Sequence, residues 1–356
     1  MKKQKARAAD WPAIAQRVAA LIPHARLHPG AMATAWENVV RARRKDARFR
    51  PRWAVAFSGG ADSLALLLIL WAEGEGRWGR AFTVLHFNHR LRGRAADADE
   101  EFCGKVCAAL GLKWVAGRWR APRADASEAE ARAARLAFFD RELRRRRLDH
   151  LWLGHQQDDI AETMLMRLAR GSGAAGLAAP RPSQLMPGGR WHLRPLLSLQ
   201  KAEIAAALRT AGACWREDAS NATDRFFRNR VRHEVLPAWS KAAQRDAIAG
   251  AARSRELLEE DDQALEAWLG ALLPRIRTGG KLPLAPLIGK PRALWRRALH
   301  RWLLAQPLAG DLSRAAVDAL LDAILRGPTR QSAGRAGFAV SDGRELRFQR
   351  ARKSRS

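Results

Sequence analysis

The sequence predicts an α/β protein in which a parallel β-sheet domain is followed by a smaller, mostly helical domain. Two observations lead to this prediction. From Trp53 to about residue 155, short apolar runs alternate with longer helical patterns, which is typical of right-handed βαβ units and a parallel sheet. After Pro237 the alternation stops and helical patterns dominate. At 356 residues the chain is long enough for two domains, each with its own core.

Four short apolar runs are the predicted strands, because each is bounded by turn or polar residues. Ligands of parallel sheets bind beyond the carboxyl ends of the strands. The polar motifs that follow the first, second and fourth runs are therefore expected at one edge of the sheet. The predicted strands are Trp53–Phe57, Phe82–His86, Lys113–Gly117 and Leu151–His155, and the predicted helices between them are Ala61–Glu73, Ala96–Leu110 and Glu128–Arg147.

The rest of the chain gives a coarser prediction. The Gly- and Pro-rich stretch from Arg170 to Trp191 is typical of a loop. The run after it predicts a short strand and then a helix with Ser198 as its N-cap. In this scheme residues 1–50 are a basic helical lead-in, residues 51–237 are the sheet domain, and residues 238–356 are the mostly helical domain, which ends in a small β-like segment.

The charge of the chain favours a polyanionic partner. Lys and Arg number 64 against 36 Asp and Glu, so the formal net charge is +28 at pH 7. Such a field attracts nucleic acid, although solubility or the arginine preference of a GC-rich genome explains the same composition. The chain ends in RFQRARKSRS, and basic tails of this kind are common in nucleic-acid-binding arms.

Cysteine usage and the N-terminus favour the cytoplasm. Cys103, Cys107 and Cys214 give neither a disulfide framework nor the paired spacing of a zinc site, which suits a reducing compartment. The basic N-terminus is interrupted by Pro12 and Pro23, so it lacks the unbroken apolar segment of a signal peptide. No later stretch approaches the length of a membrane span.

The segment SGGADS, Ser58–Ser63, predicts a phosphate site. A glycine turn between a strand and a helix directs the free N–H groups and the positive dipole end of the helix at one point. Gly59 and Gly60 let the backbone approach a phosphate closely. Asp62 would repel phosphate, so we expect it to hold a bridging Mg²⁺ or to cap the helix. The alternative is a tight turn with an aspartate cap; the segment lacks the Lys-Ser/Thr ending of a Walker A loop.

Three acids begin a predicted helix at the same edge of the sheet. Spacings of three and four residues place Glu162 on a shared helix face with Asp159 and Asp158. Acids at a helix N-terminus are favourable on electrostatic grounds alone. Because these three are expected to face a phosphate loop, they could instead hold Mg²⁺ or a substrate ammonium group.

Arginines and phenylalanines are interleaved shortly before Pro237. Arginines in such a pattern can bind RNA phosphates, and the aromatic rings can stack on RNA bases. Alternatively, the phenylalanines pack at a domain junction while the arginines stay in solvent. The residues are Arg225, Phe226, Phe227, Arg228, Arg230 and Arg232.

Three histidines near strand ends lack the spacing of metal ligands, so we do not expect a zinc site. His89 and His155 are expected either to line a nucleotide site or to satisfy hydrogen bonds at the strand ends. The third is His86.

Five ordered blocks of the chain resemble those of one enzyme family. SGGADS matches the SGGxDS signature of the PP-loop ATP pyrophosphatases, and the remaining blocks resemble their tRNA(Ile)-lysidine synthetase branch. Asn88 stands where that family usually has Asp, and Gln156 where it often has a second His. Besides SGGADS, the blocks are HFNHRLRG (His86–Gly93), SEAEARAARLAFF (Ser127–Phe139), GHQQDDIAETMLMRLARGSG (Gly154–Gly173) and WREDASNATDRFFRNRVRHEVLP (Trp215–Pro237).

The resemblance implies a PP-loop, adenine nucleotide α-hydrolase-like domain and an activity. The implied reaction is ATP-dependent ligation of free lysine onto carbon 2 of the wobble cytidine in the CAU anticodon of an isoleucine tRNA. The expected cofactors are ATP and Mg²⁺, with Mg²⁺ at Asp62, and residues 238–356 would bind tRNA. The expected catalytic residues are Asp62, Arg132, Asp158 and Asp159; the nucleotide would contact Ser58, Gly59, Gly60, Ala61, Asp62, Ser63, His89 and His155; and the other substrates would contact Glu162, Arg225, Arg228 and Arg232.

Two other functions remain open at this point. A tRNA thiolase of the same fold would need cysteines that carry sulfur or a cluster, whereas Cys103 and Cys107 have the spacing of a buried pair within one helix. A non-catalytic RNA-binding protein on a decayed nucleotide fold is the second alternative, and the intact SGGxDS loop argues against it. The sequence leaves the oligomeric state open.

Overall fold

Packing divides the chain into two units, Met1–Glu259 and Glu260–Ser356, in a computed structural model of the protein. Each unit has its own buried apolar cluster. The structure describes residues 9–45, 52–74, 82–123, 125–217, 226–273, 276–306, 312–334 and 337–351.

A mostly parallel sheet forms the centre of the first unit, as the sequence predicts. In the described residues its strand order is β3-β2-β1-β4-β6-β5, and only the edge strand β5 runs antiparallel to its neighbour. The chain therefore winds outward from β1 in both directions, which makes the gap between β1 and β4 the topological switch point. The strands are β1 (Trp53–Ala56), β2 (Phe82–Asn88), β3 (Lys113–Arg118), β4 (His150–Trp152), β5 (Ser183–Met186) and β6 (Arg190–Leu193).

Helices cover both faces of this sheet. α3 (Ala61–Gly74) is apolar on all sides and is buried along nearly its whole length, as expected for a central helix. α4 (Arg94–Ala109) and α8 (Lys201–Thr210) complete the same face. On the other face, α5 (Glu128–Arg146) packs Phe138, Phe139 and Leu143 against Leu85 and Leu151 of the sheet. The three predicted helices are confirmed to within two residues at each end.

The first unit extends beyond the predicted sheet domain at both ends. α1 (Trp11–Leu21) buries Trp11, Ile14 and Val18 in the main core, and α2 (Pro29–Lys45) follows it. Past Pro237, Ala251 is buried in one cluster with Val231. By packing, the boundary therefore lies at Glu259, within α11 (Ala247–Leu272), rather than at Pro237. The functional division of the chain stays a prediction.

Two local predictions between residues 170 and 201 are wrong. The segment predicted as a loop contains a short helix, α7 (Ala174–Leu177), and the β5–β6 hairpin. Two of its glycines, Gly188 and Gly189, have positive φ angles and form the tight turn of this hairpin. The N-cap of α8 is Gln200, whose N–H donates to the Glu203 carboxylate at 2.9 Å. Ser198 instead donates its hydroxyl proton to the carbonyl of Arg26.

The second unit is mostly helical and carries a small antiparallel sheet. Its core includes Leu294 and Trp302 of α12 together with Leu321 of α13. No helix among the described residues is long and apolar enough to cross a membrane. The elements around this core are α12 (Arg292–Leu304), α13 (Arg314–Arg326) and the strands β7 (Leu282–Pro283), β8 (Thr329–Ser332), β9 (Gly337–Ser341) and β10 (Glu345–Arg350).

One close backbone contact fixes the distance between β4 and α3 in the first unit. A Cβ atom added to Gly154, which follows β4, would lie 3.0 Å from the carbonyl carbon and oxygen of Asp62 and from the Cα of Ser63. The contact atoms are backbone, so they cannot rotate away. Only glycine lets the start of α3 approach the end of β4 this closely.

We expect Gly154→Ala to destabilise the first unit by about 1–3 kcal/mol, because the added methyl group overpacks a backbone contact. Urea denaturation would measure the loss. Gly173→Ala is the matched control, since a Cβ there meets nothing within 4 Å and its φ is −81°. Equal stabilities of the two variants would contradict the proposed role of the contact.

Two buried histidines are expected to make the stability of the first unit depend on pH. His150 and His192 lie on β4 and β6, and burial lowers the pKa of each to about 4, with Arg194 adding to the effect at His192. Between pH 6.5 and 4 the unfolded chain therefore binds more protons than the folded chain, so the free energy of unfolding falls as the pH falls through this window.

We expect His150→Gln, which can keep the contact to Asn38, to flatten this dependence in thermal melts at pH 4.5–7.5. His233→Gln, which replaces an exposed histidine, is the control. If the melting temperatures of the two variants depended on pH in the same way, the prediction would be wrong.

Candidate active site

The SGGADS loop leaves β1 at the switch point of the sheet and begins α3, as the sequence predicts. Gly59 has a φ of +92°, a backbone conformation that favours glycine. Gly60 and Ala61 precede the first complete turn of α3, where backbone N–H groups have no helical partner. The loop therefore presents backbone donors and the positive end of a 14-residue helix at the carboxyl edge of the sheet.

The two serines of the loop hold its shape. The Ser63 hydroxyl accepts a hydrogen bond from the Ser58 backbone N–H at 3.2 Å and donates to the carbonyl of Gly60 at 3.0 Å. The two hydroxyl oxygens lie 3.0 Å apart. Ser63 is buried and Ser58 is exposed, so Ser58 is the one whose hydroxyl can reach a ligand.

Asp62 is the chemically unusual residue of the loop. Its Oδ1 atom is buried and has no hydrogen-bond partner in the described part of the chain. The pKa of Asp62 is raised to about 7, chiefly by burial, with Asp159 and Asp158 contributing and Lys201 opposing them. A buried carboxylate oxygen without a donor, in a group that is influenced by other acids, has the character of a cation ligand.

The acids at the start of α6 (Gln157–Leu168) are divided between two neighbours. Asp158 accepts a hydrogen bond from the backbone N–H of Lys201 at 3.0 Å, at the start of α8. Asp159 accepts from the N–H of Gln156, the helix N-cap, at 3.0 Å. Glu162 is 1% exposed and points toward a different segment. The predicted shared face thus brings Asp159 and Glu162 together, whereas Asp158 turns toward α8.

A buried ion-pair cluster joins α6 to the arginine-rich segment. Arg228 Nε lies 2.6 Å from Glu162 Oε2, and its Nη2 lies 2.5 Å from Asp159 Oδ1. Arg232 Nε lies 2.6 Å from Glu162 Oε1. Burial opposes the charge of Arg228, but Asp159 and Glu162 outweigh it and raise the pKa of this guanidinium. Removing one member of such a cluster leaves an uncompensated buried charge.

The segment only partly matches the placement expected for a packed junction, since Arg230 is exposed and Phe226 is partly buried but three other residues differ. Arg228 and Arg232 are largely buried, whereas Phe227 is 38% exposed and lies under the guanidinium of Arg230. Arg228 lies on α9 (Phe227–Arg230) and Arg232 on the π-helical turn Val231–Val235, which precedes α10 (Leu236–Ala243). Arg225 lies outside the described residues.

His155 lies among arginines and is neutral. Its Nδ1 atom is buried and has no hydrogen-bond partner within the described residues. Burial, reinforced by Arg194 and Arg228, lowers the pKa of His155 well below its usual value. At neutral pH the ring can therefore donate one hydrogen bond and accept another, but it does not add positive charge.

Arg132 and Arg135 of α5 add unpaired positive charge beside His155. Among the described residues, neither has an acidic side chain within ion-pair distance. Burial lowers the pKa of Arg135 to about 10, with Arg132 and Arg228 adding to the effect, so Arg135 is still charged at pH 7. Arg132 and Arg135 lie close enough to repel each other, and such a concentration of positive charge favours an anionic ligand.

The other histidines differ in their surroundings. His86 is buried, and its Nδ1 lies 2.9 Å from the carbonyl oxygen of Phe57 just before the loop, so it satisfies a strand-end hydrogen bond. His89 is partly exposed beyond β2, with its ring edge-on to Phe87 at 4.9 Å. The predicted contact between His89 and a nucleotide stays a prediction.

Sequence reasoning missed Arg216 beside the loop. Its backbone N–H donates to the carbonyl of Gly59 at 2.9 Å, and its Nε lies 2.7 Å from Asp99 Oδ1. Asp99 also pairs with Arg92 at 2.6 Å. These contacts join two segments distant in sequence, residues 92–99 and the segment around Arg216, to the loop, and only the WRED motif around Arg216 indicated a role.

Comparison with known proteins places these residues in a family context. Residues 33–239 match the PP-loop domain family. A tRNA(Ile)-lysidine synthase of Geobacter sulfurreducens is 40% identical over 283 residues, which cover 76% of this chain and 58% of that protein. The corresponding protein of Solibacter usitatus is 44% identical over 186 residues, covering 52% and 40%. That of Azoarcus is 40% identical over 284 residues, covering 78% and 60%.

The chain thus spans about two fifths to three fifths of the length of these curated relatives. Among solved structures, a U34-tRNA thiolase of Methanococcus maripaludis is 18% identical, with a TM-score of 0.49 over 64% of this chain and 80% of that one. The family match covers more than half of the chain and includes the SGGADS loop, both aspartates of α6 and the buried arginine segment. This chain therefore belongs to the PP-loop domain family, with tRNA(Ile)-lysidine synthases among its relatives.

Proposed function

We propose that the protein ligates free lysine onto carbon 2 of the wobble cytidine in the CAU anticodon of an isoleucine tRNA, using ATP, in the cytoplasm. The observation that carries the proposal is the unpaired Asp62 carboxylate of an intact PP-loop, which lies near the two aspartates of α6. Relatives named tRNA(Ile)-lysidine synthase, 40–44% identical to this chain, support the choice of substrate.

The chemistry requires activation, because the oxygen on carbon 2 of cytosine is a poor leaving group. The 2-oxo group attacks the α-phosphate of ATP and pyrophosphate leaves. The ε-amino group of lysine then attacks carbon 2 and AMP leaves. Ser58, whose side chain is exposed, and the backbone N–H groups of the loop would bind the departing pyrophosphate. The positive charge of Arg132 and Arg135 is suited to the transferred phosphoryl group.

Asp62 has the features of a Mg²⁺ ligand. Mg²⁺ in nucleotide sites is held by one or two carboxylates together with substrate phosphates, and it neutralises developing charge on those phosphates. Among the described residues, no cluster of three or more His, Cys, Asp or Glu side chains could hold a metal ion by itself. The single unpaired Oδ1 of Asp62 fits a site that is completed by phosphates.

The acids of α6 are suited to the lysine amine. Both oxygens of Asp159 already accept hydrogen bonds, from Gln156 and Arg228. Asp158 uses Oδ2 for the N–H of Lys201, and its Oδ1 has no partner among the described residues. Asp158 is therefore the better placed of the two to accept a proton or a hydrogen bond from the attacking amine. Glu162, saturated by two arginines, serves by fixing Arg228 and Arg232.

The environment of Cys103 and Cys107 disfavours a thiolase that uses this pair, whereas Cys214 is exposed. Cys103 and Cys107 are buried in the core, and burial raises the pKa of both thiols, that of Cys107 to about 12. Sulfur transfer needs an accessible thiolate. Neither of these thiols meets that requirement.

We expect Asp62→Ala to abolish lysine incorporation while leaving tRNA affinity nearly intact, because in the proposed mechanism the loop binds the phosphates of ATP and Mg²⁺ rather than RNA. The assay combines the protein with ATP, radiolabelled lysine and an isoleucine tRNA that has a CAU anticodon. Glu101→Ala, which removes an exposed carboxylate paired with Lys105, is the control and should keep full activity. Near wild-type turnover by Asp62→Ala would contradict the assigned role, and no incorporation by the wild-type protein would contradict the proposed function.

We also expect tRNA affinity to fall steeply with ionic strength. With a net charge of +28, binding should release about one counterion per neutralised phosphate, so that six or more contacts cost about 10³-fold between 50 and 200 mM salt. Filter binding across that range measures the slope of log K against log[salt]. A flat response would mean that the charge of the chain does not contribute to RNA binding.

A further inference from the structure

A cavity lies apart from the PP-loop, between the sheet and α5, at the edge strand β3. Its volume is about 520 Å³. None of the residues that the sequence assigns to the active site lines it. Its walls are Phe87, Trp119 and Phe138, and Arg118, Arg120 and Arg141 complete the lining together with two alanines of α5.

The walls of the cavity are aromatic. The rings of Phe87 and Phe138 are stacked, with centroids 5.4 Å apart and planes inclined by 30°. The ring of Phe138 can lie over β3 because residue 117 is glycine: a Cβ there would be 2.4 Å from ring carbons of Phe138. His89 packs edge-on against Phe87 and also approaches Trp119, at 6.3 Å. Aromatic faces of this kind stack nucleobases without regard to sequence.

The lining is positive and contains no acid. Arg118 is held in place by Glu100, with Nη2–Oε1 and Nε–Oε2 distances of 2.9 and 3.0 Å. The guanidinium of Arg141 lies 5.5 Å from the ring centroid of Phe138. Arg120 is exposed and has no ion-pair partner among the described residues. A cavity with aromatic walls beside an arginine without an ion-pair partner matches the chemistry of one nucleotide, whose base can stack and whose phosphate can pair.

The cavity opens at the same edge of the sheet as the active site. Asn88, the last residue of β2, pairs with Arg118, the last residue of β3, and β2 pairs in turn with β1, which leads into the PP-loop. Two strand spacings, about 10 Å, separate β1 from β3. RNA recognition commonly splays neighbouring bases of a loop into separate pockets.

We propose that this cavity, the β3 pocket, binds the base and phosphate of an RNA nucleotide next to the cytidine that is modified. The proposal rests on the proposed function, which supplies both the RNA substrate and the modified cytidine. Stacking on Trp119 and the aromatic wall supplies affinity, and Arg120 pairs with the phosphate. The pocket thereby sets which base of a splayed loop reaches the PP-loop, because its neighbour is already held two strands away.

The test compares pocket variants with anticodon stem-loop RNAs. We expect Trp119→Ala to weaken binding of the intact stem-loop about ten-fold, as for the loss of one stacked base. Trp119→Phe, which keeps an aromatic face, should recover most of the affinity. Arg120→Gln should weaken binding and lower the salt slope by up to about one unit. Arg123→Gln, an equally exposed arginine outside the lining, is the control for the loss of one charge.

A double-mutant cycle identifies the occupant. Stem-loops with an abasic nucleotide on the 5′ or the 3′ side of the wobble cytidine are measured against wild-type protein and Trp119→Ala. If the pocket holds one of these bases, Trp119→Ala costs nothing further with that abasic RNA. Affinity unchanged by Trp119→Ala, or effects that add fully with both abasic RNAs, would overturn the proposal.

ATP affinity, measured by calorimetry on the same variants, separates the remaining alternative. Loss of ATP binding together with unchanged RNA binding would assign the pocket to the adenine of ATP and overturn the proposal. The outcome is also independent of the proposed function: absence of lysine incorporation by the wild-type protein would contradict that function while the binding cycle still decides the pocket.

Discussion

The close approach of α3 to the end of β4 is the constraint on which the site depends. Because Gly154 has no side chain, the backbone of Asp62 and Ser63 comes within contact distance of the loop that leads into α6. Two helix N-termini then converge at the switch point of the sheet. This convergence explains why a carboxylate at the start of α3 is influenced by carboxylates at the start of α6. The proposed chemistry, which needs donors to phosphate beside cation ligands, would depend on this backbone contact.

Charges around Glu162 and around His155 form two groups that differ in their balance. Around Glu162, acids and arginines neutralise one another, so the cluster fixes the position of the helical turn that carries Arg228 and Arg232. Around His155 the arginines outnumber the acids, and the histidine itself stays neutral. The first group joins segments of the fold, and the second has capacity left for an anion. A substrate that brings its own phosphates would complete the second group.

The sequence predicted most of the first unit because its signals were local. Strands such as Trp53–Ala56 are short apolar runs, and α5 begins at the capping box of Ser127 and Glu130, so each could be located without its partners. The predictions failed where tertiary contacts decide. Ser198 resembles an N-cap, but its hydroxyl is used by the carbonyl of Arg26, 172 residues away in sequence. The lead-in helices gave no sign that Trp11 and Val18 would be buried in the main core.

The candidate site was predictable where a motif is contiguous and unpredictable where it is assembled in space. The loop and the acids of α6 are short motifs, whereas Arg194 and Arg216 reach the site from separate segments. The burial of Arg228 and Arg232 could not be predicted, because the side chains of an arginine-rich sequence are usually in solvent. These two are buried because the buried carboxylate of Glu162 needs positively charged partners.

The position of β3 at the margin of the sheet has a consequence for self-association. An edge strand exposes unpaired backbone donors and acceptors, to which the edge of another molecule could add. Here the strand is only six residues long, and its two ends, Lys113 and Arg118, are exposed and positively charged. A second copy that approached in register would bring like charges together at both ends. The margin of the sheet is therefore protected against intermolecular β-pairing, even though the middle of the strand is apolar.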